Sequence, residues 1–292
     1  MVTQDPSSFD LAADPLGFAV AALGDATATD AGGRFASARR AWTVLETESF
    51  PKASAEAARS LALGVRAMAQ AGQAVTRAEA REAAEAAERW LESLSASEQP
   101  ARADAQEARG VARRLAAAPG DEDYARMLEA SAMDLLAAAQ YRQAAGDAAA
   151  AARTDLEIAE VFALYPAGDR APLIERAVGH ARRAAATLTP QTDAVAHARC
   201  QLLLSGLLLD HPKSDPKQFA PAAQGLADTA LKDVDADRAP LVASRAWQAR
   251  ARALELSGSA DYQAAYARAA DLLLAAGLGA ESRRLRRRLL CA

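Results

Sequence analysis

The sequence contains no asparagine, only two cysteines and few aromatic residues, which make up 5% of the chain. Two cysteines, Cys200 and Cys291, are too few for a disulfide framework, and neither belongs to a paired-cysteine metal spacing. We therefore expect a reducing, cytoplasmic environment. The scarcity of aromatic side chains argues against a large ligand pocket lined by rings. The longest strongly apolar run, residues 202–209, falls far short of the roughly 20 residues that span a membrane.

The chain also lacks the basic excess that attracts nucleic acid or anionic membranes, because its net charge is -4. The charge is nevertheless distributed unevenly. No Lys or Arg precedes Arg34, and that stretch contains five aspartates: Asp5, Asp10, Asp14, Asp25 and Asp30. The C-terminus contains five arginines: Arg283, Arg284, Arg286, Arg287 and Arg288. We expect an acidic N-terminal arm with a short helix over residues 1–28 and a basic capping helix over residues 280–292.

Alanine dominates the apolar residues, which form 51% of the chain and recur at helical spacing almost throughout. The alternating pattern typical of strands is missing. Turn residues such as Gly146-Asp147 and Pro190 divide the chain at regular intervals. The sequence thus predicts an all-α fold of about a dozen helices, at about 15–23, 33–48, 53–72, 76–95, 101–117, 121–145, 147–164, 170–188, 190–210, 216–232, 239–257, 260–276 and 280–290.

Several of these helices have specific start signals. Thr76 with Glu79 three residues later forms a capping box, in which each side chain accepts from the backbone N–H of the other residue. Thr189-Pro190 and Asp215-Pro216 each combine a capping oxygen with a proline at the first helical position, where a missing N–H costs nothing.

Two segments share a spacing of aromatic and small residues on one helical face. After Gly33 come Phe35, Ala38, Trp42 and Leu45, followed by Pro51; after Gly258 come Tyr262, Ala265, Ala269 and Leu272. This spacing resembles the second helix of a tetratricopeptide repeat, where a small residue lets the partner helix approach and an aromatic residue fills the gap between hairpins. The resemblance implies a right-handed α-solenoid of antiparallel helix hairpins over residues 29–279, and a non-catalytic role as a protein–protein interaction scaffold or adaptor.

The chain departs from that family in two ways. Hairpin starts such as Gly33 and Thr76 lie roughly 43 to 45 residues apart, rather than the usual 34 or so. Middle copies, as in residues 148–152, have alanine where the family has an aromatic residue. The alternative is an irregular helical bundle without a true repeat.

Two groups of residues on predicted helices are of the types used in catalysis or metal binding. His197 and Cys200 lie three residues apart on one helical face, which is the only pair with nucleophile or metal geometry. Neither has an obvious third partner, so packing of a thiol beside a hydrogen-bonded imidazole is the favoured interpretation. Residues 121–123 form an acidic cluster that could hold magnesium, but acidic residues are also expected at a helix start.

A third constellation has the alternating carboxylates of a calcium loop, Asp233, Asp235 and Asp237. Arg238 and Ser244 stand where such a loop needs glycine and glutamate. We therefore interpret Asp237 as the cap of the next helix. No cofactor, metal or catalytic residue is expected.

The resemblance implies partner binding on the first helix of each hairpin, which lines the inner wall of such a solenoid. If helices near 53–72, 121–145, 170–188 and 239–257 form that wall, the candidate contact residues are Arg59, Arg66, Arg142, Arg245, Gln248 and Arg252. The C-terminal arginines are further candidates, as a docking surface or as the polar face of a cap. We expect a protein or peptide partner, acidic ones included. Two alternatives stay open: a regulatory module of a bacterial signalling or transcription system, and a helical enzyme or small-ligand binder.

Overall fold

The computed structural model describes residues 31–45, 51–166, 168–213 and 215–290. These ranges contain 12 α-helices and no strand. In chain order the helices are α1 (Ala31–Leu45), α2 (Pro51–Gln70), α3 (Arg77–Ser93), α4 (Gln99–Ala116), α5 (Tyr124–Ala144), α6 (Ala148–Leu164), α7 (Ala171–Thr187), α8 (Pro190–Asp210), α9 (Pro216–Asp233), α10 (Pro240–Leu256), α11 (Tyr262–Ala275) and α12 (Gly279–Leu290).

The all-α prediction is confirmed over the described residues, and every helix there was predicted within about three residues of its observed ends. The predicted helix at 15–23, and the acidic arm to which it belongs, lie outside the described residues. The start signals act as expected. Thr76 and Glu79 form both hydrogen bonds of the capping box, and the side chains of Thr189 and Asp215 each accept from a backbone N–H in the first turn of their helices.

The predicted cap at Asp237 is wrong. The residue that precedes α10 is Ala239, which offers no side-chain acceptor. Asp235 instead accepts from the backbone N–H of Asp237 at 2.9 Å, and the carbonyl of Asp235 accepts from the N–H of Ala239. The turn is therefore closed two residues earlier than the sequence suggested, because an aspartate can bond its own backbone two residues on.

The helices recur at a regular interval. The odd-numbered helices begin at Ala31, Arg77, Tyr124, Ala171, Pro216 and Tyr262, so their starts lie about 46 residues apart. From α6 to α12 each helix packs against the next one, and α8 also contacts both α6 and α10. The arrangement is helical repeat-like, since each helix covers its apolar face with its neighbours in sequence.

The chain divides into two compact units. The first contains Val75–Tyr141 and the described residues up to Ala69, and the second contains Gln70–Ala74 and the described residues from Arg142 onward. In the first unit, α1 to α4 share one apolar core made largely of alanines, with Phe35, Trp42 and Trp90 as its large side chains. Alanine faces let helices approach closely and leave the few aromatic side chains to fill the remaining space.

The core of the second unit is a series of smaller apolar clusters between neighbouring helices. One joins α6, α7 and α8 around Leu156, and another joins α10, α11 and α12 around Tyr266. Most residues of the aromatic and small-residue spacing are buried, namely Phe35, Ala38 and Trp42 in α1, and Ala265, Ala269 and Leu272 in α11, whereas Tyr262 is half-buried. The pattern therefore identified the core-facing side of each helix.

Candidate functional surfaces

Two arginines of α4 connect α3 and α5. Arg109 donates to both carboxylate oxygens of Asp134 on α5, at 2.6 and 3.0 Å, and Arg113 donates to Asp134 at 2.7 Å. The same two guanidinium groups donate to Glu88 on α3, at 2.7 and 2.9 Å. Burial lowers the pKa of Arg109, but the carboxylates of Asp134 and Glu88 outweigh that effect and raise this pKa above its ordinary value. Because Asp134 is only 7% exposed, this network fixes the positions of α3 and α5 beside α4.

A groove of about 730 Å³ lies between α3 and α5 and includes two members of this network, Glu88 and Arg113. We call it the α3–α5 groove. Its apolar surface consists of Ala84, Ala116, Met127 and Ala130. Its charged border consists of Arg81, Glu85, Arg89, Glu92, Asp123 and Arg126. A trough with small apolar residues at its base and charges at its edges suits a partner helix, which presents an apolar stripe between polar flanks.

Two features of α3 and α5, the helices that line the α3–α5 groove, are unsatisfied among the described residues. Glu85 and Glu92 are exposed on α3, and neither has an ion pair or hydrogen bond among the described residues. On α5, Met133 lies one turn beyond Ala130 and is 68% exposed, the largest value among the exposed large apolar side chains described. An exposed methionine on a helix that lines an apolar trough is typical of surfaces that bind other chains, because its flexible side chain adapts to its partner.

Two of the predicted contact residues are occupied by interactions within the chain. Arg66 donates to Asp104 at 3.0 Å and to Glu107 at 2.7 Å, so it connects α2 to α4. Arg142 is buried and donates to the carbonyl of Ala150 and the hydroxyl of Thr154. Both guanidinium groups therefore hold helices together.

The other predicted contact residues are more accessible. Arg59 is exposed, pairs with Glu56 on its own helix and lies 5.9 Å from the ring centroid of Trp90. Arg252 donates to Asp210 at 2.7 Å and stays 42% exposed. Gln248 donates to Ser244, and Arg245 is exposed on the same helix, α10. Their role in partner binding stays a prediction.

One exposed face of α12 carries four of the C-terminal arginines: Arg283, Arg284, Arg286 and Arg287. The opposite face packs against the rest of the second unit through Leu285 and Leu289, and through the buried Ser282, which donates to the carbonyl of Ala270. Arg286 pairs with Asp271 of α11. The remaining exposed arginines, Arg283, Arg284 and Arg287, point away from this packing face, and the side chain of Arg288 lies outside the described residues.

Two histidines are each held by an aspartate of another helix. His180 Nδ1 on α7 lies 2.6 Å from Asp155 Oδ1 on α6, and Arg183 donates to both oxygens of Asp155. Burial raises the pKa of Asp155, but hydrogen bonds from His180 and Arg183 outweigh it and hold this pKa below its ordinary value. Such a pair can orient a general base, yet that chemistry also needs a nucleophile or substrate at the other ring nitrogen. Within the described residues no hydroxyl or thiol is hydrogen-bonded to this ring, so the pair acts as a link between α6 and α7.

His197 has a partner that sequence reasoning missed. Its Nδ1 lies 2.7 Å from Asp233 Oδ2 at the end of α9, and its Nε2 lies 3.0 Å from the side-chain amide of Gln201. The thiol of Cys200 is buried and takes no part in this arrangement. Because His197 and Asp233 are 36 residues apart in sequence, no local sequence pattern predicts this pair.

The thiol of Cys200 is expected to be inert in the native protein. Burial is the main cause that raises its pKa to about 12, so the thiolate fraction at pH 8 is very small. In a Cys291→Ser variant, the single remaining thiol should resist a chromogenic disulfide reagent at pH 8 and react fully once the protein is unfolded in urea. Rapid reaction of the folded variant would contradict the buried position of Cys200.

The acidic residues 121–123 also have local partners. Asp121 accepts from Arg77 of α3, and Asp123 lies 3.7 Å from Arg126. Over the residues that the structure describes, no group of three or more His, Cys, Asp or Glu side chains is arranged to hold a metal ion. Asp121 thus connects the segment before α5 to α3.

Comparison with known proteins does not assign this chain to a family. No family model matches the sequence, and no curated protein matches it significantly. Among the described residues, no helix is both long and apolar enough to cross a membrane.

Proposed function

We propose that this chain is a non-catalytic protein–protein interaction scaffold of tetratricopeptide-like type, and that its α3–α5 groove binds a helical segment of a partner protein. The observation that supports the proposal is the α3–α5 groove itself, which combines an apolar base, an ion-pair network between its walls and unpaired charges at its edge. A groove with fixed walls loses little conformational entropy when a partner binds, which favours affinity.

The charges of the groove define the partner's chemistry. An amphipathic helix would place its apolar stripe on Ala84, Met127 and Ala130, and small base residues let its backbone approach closely. Basic side chains on one flank of that helix would meet the unpaired Glu85 and Glu92 of α3. An acidic side chain on the other flank would meet Arg126, which is 81% exposed. Complementary charge of this kind sets the orientation of the helix more than its affinity.

A photo-crosslinking experiment tests this function. A photoreactive phenylalanine analogue is placed at Met127 in the groove and, as a matched control, at the exposed Ala222 of α9, and each full chain is irradiated in lysate of its native host. We expect a defined protein adduct at Met127 and none at Ala222. Adding Ala130→Trp, which fills the groove, should abolish the adduct, while Ala222→Trp should leave it. Absence of an adduct at Met127, or an adduct that survives Ala130→Trp, would contradict the proposal.

A further inference from the structure

The outer face of α12 is a basic surface whose charges are not neutralised within the described chain. Arg283, Arg284 and Arg287 are exposed, and none of them has a hydrogen-bond or ion-pair partner among the described residues. The spacing of these three positions places them on one side of the helix. Asp271, the acidic residue of α11 that reaches α12, is already paired with Arg286. The surface therefore offers three guanidinium groups to carboxylates from elsewhere.

This basic surface has an apolar component. Leu274 at the end of α11 is 58% exposed. A side chain at Gly279, the first residue of α12, would lie 3.8 Å from Leu274 Cδ1 and 3.4 Å from Arg283 Nη1. The backbone of Gly279 thus lies between an exposed leucine and a guanidinium group. These neighbouring groups suit a segment in which a carboxylate stands next to a bulky apolar residue.

One segment of this chain has the matching composition. Residues 1–30 contain five aspartates and no Lys or Arg. Apolar residues stand beside these aspartates, as in Phe9-Asp10-Leu11 and Asp14-Pro15-Leu16. The segment lies outside the described residues, and its sequence supplies the alternation of acidic and apolar side chains that the surface of α12 and Leu274 would accept.

We propose that residues 1–30 of one copy bind the Arg283, Arg284 and Arg287 face of α12 in a second copy, so that the chains associate head to tail. The interaction joins two different surfaces, and such a heterologous contact generates closed rings, a reciprocal pair of chains included, or open chains. Because the arginines are exposed, the association weakens as salt is added. This inference does not depend on the α3–α5 groove.

Two full-length variants separate the two surfaces. The α12 variant carries Arg283→Glu, Arg284→Glu and Arg287→Glu, and the arm variant carries Asp5→Asn, Asp10→Asn and Asp14→Asn. A control variant carries Arg176→Glu and Arg182→Glu, which reverse two exposed arginines of α7 that have no partner in the described residues. Light scattering across a wide concentration range measures the mass of each protein. We expect the wild type and the control to form assemblies, and either surface variant to weaken association by about tenfold or more.

Mixing the variants tests the head-to-tail direction. The α12 variant retains an acidic arm, and the arm variant retains a basic α12, so an equimolar mixture has one intact pair of surfaces. We expect a species of two chains, one of each variant, that does not grow further. A wild type that stays monomeric at all concentrations, or a mixture in which no such species appears, would overturn the proposal. Monomers whose α12 arginines are protected from chemical modification only when the arm is intact would instead place the arm on its own chain and would equally overturn it.

Discussion

Replacing Arg199 with leucine is expected to lower the free energy of unfolding by about 3 to 5 kcal/mol, because the change removes the buried guanidinium that faces two shielded carboxylates of α6. Arg199 of α8 is 6% exposed and donates to Glu157 at 2.8 Å and to Glu160 at 2.8 and 3.1 Å, both on α6. Burial lowers the pKa of Arg199, but the facing carboxylates outweigh it and raise this pKa, so the guanidinium is charged at every accessible pH. Glu157 is only 1% exposed, so water cannot replace the lost partner.

Urea unfolding followed by circular dichroism measures this effect. The matched control is Arg252→Leu, which removes the Arg252–Asp210 pair between α10 and α8; both side chains there are about 40% exposed, and the expected loss is below about 1 kcal/mol. Adding Glu157→Leu to Arg199→Leu should recover part of the stability, because it removes a buried carboxylate that has lost the guanidinium of Arg199. Equal losses for Arg199→Leu and Arg252→Leu would show that burial does not determine the cost.

The positions of the helices could be predicted because their signals are local. A capping box at Thr76 and the proline after Thr189 act within one turn, and the apolar period of 3.6 residues extends over whole helices. The aromatic spacing around Trp42 also identified a buried face. The cap at Asp237 was wrong because two aspartates two residues apart compete for one turn, and their sequence does not show which of them bonds the backbone.

The candidate surfaces could not be predicted in the same way, because they depend on partners far away in sequence. Arg66 and Arg142 look like available cations in the sequence, yet their partners on other helices are already in place. The chain has many arginines, and the sequence does not distinguish those that join helices from those that face solvent. The C-terminal arginines were easier to place, since their alternation with leucines fixes one face of α12.

The helical interval explains where these long-range pairs form. Helices two apart in the chain begin about 46 residues apart, and the cross-helix pairs of Arg66, Arg199 and Arg252 span 38 to 42 residues. A residue near the middle of one helix therefore pairs with a residue on the helix that lies two helices away in the chain. An alanine-rich core supplies little apolar area per helix, so we expect the shielded pairs of Arg66 and Arg199 to add specificity to the packing of their helices.

Replacing Leu135 with alanine is expected to lower the free energy of unfolding by about 2 to 5 kcal/mol. The size of this loss should depend on which residue stands at position 110. A side chain at Gly110 of α4 would lie 2.7 Å from Leu135 Cγ and 3.1 Å from the Ser131 carbonyl, so any side chain there requires Leu135 or its helix to shift. Gly110→Ala alone should therefore cost about 1 to 2 kcal/mol despite its better helix propensity.

In the double variant, the new methyl group at position 110 occupies space that Leu135 has vacated, so its total cost should fall short of the sum of the single costs by about 1 kcal/mol or more. Gly225→Ala is the matched control. Gly225 lies within α9 and has nothing within 4 Å of its missing side chain, so alanine there should stabilise by about 0.5 to 1 kcal/mol. Strict additivity of Gly110→Ala and Leu135→Ala in urea unfolding would show that the two residues do not share one space. The packing of Leu135 against Gly110 would then not explain why α4 and α5 lie so close together beside the α3–α5 groove.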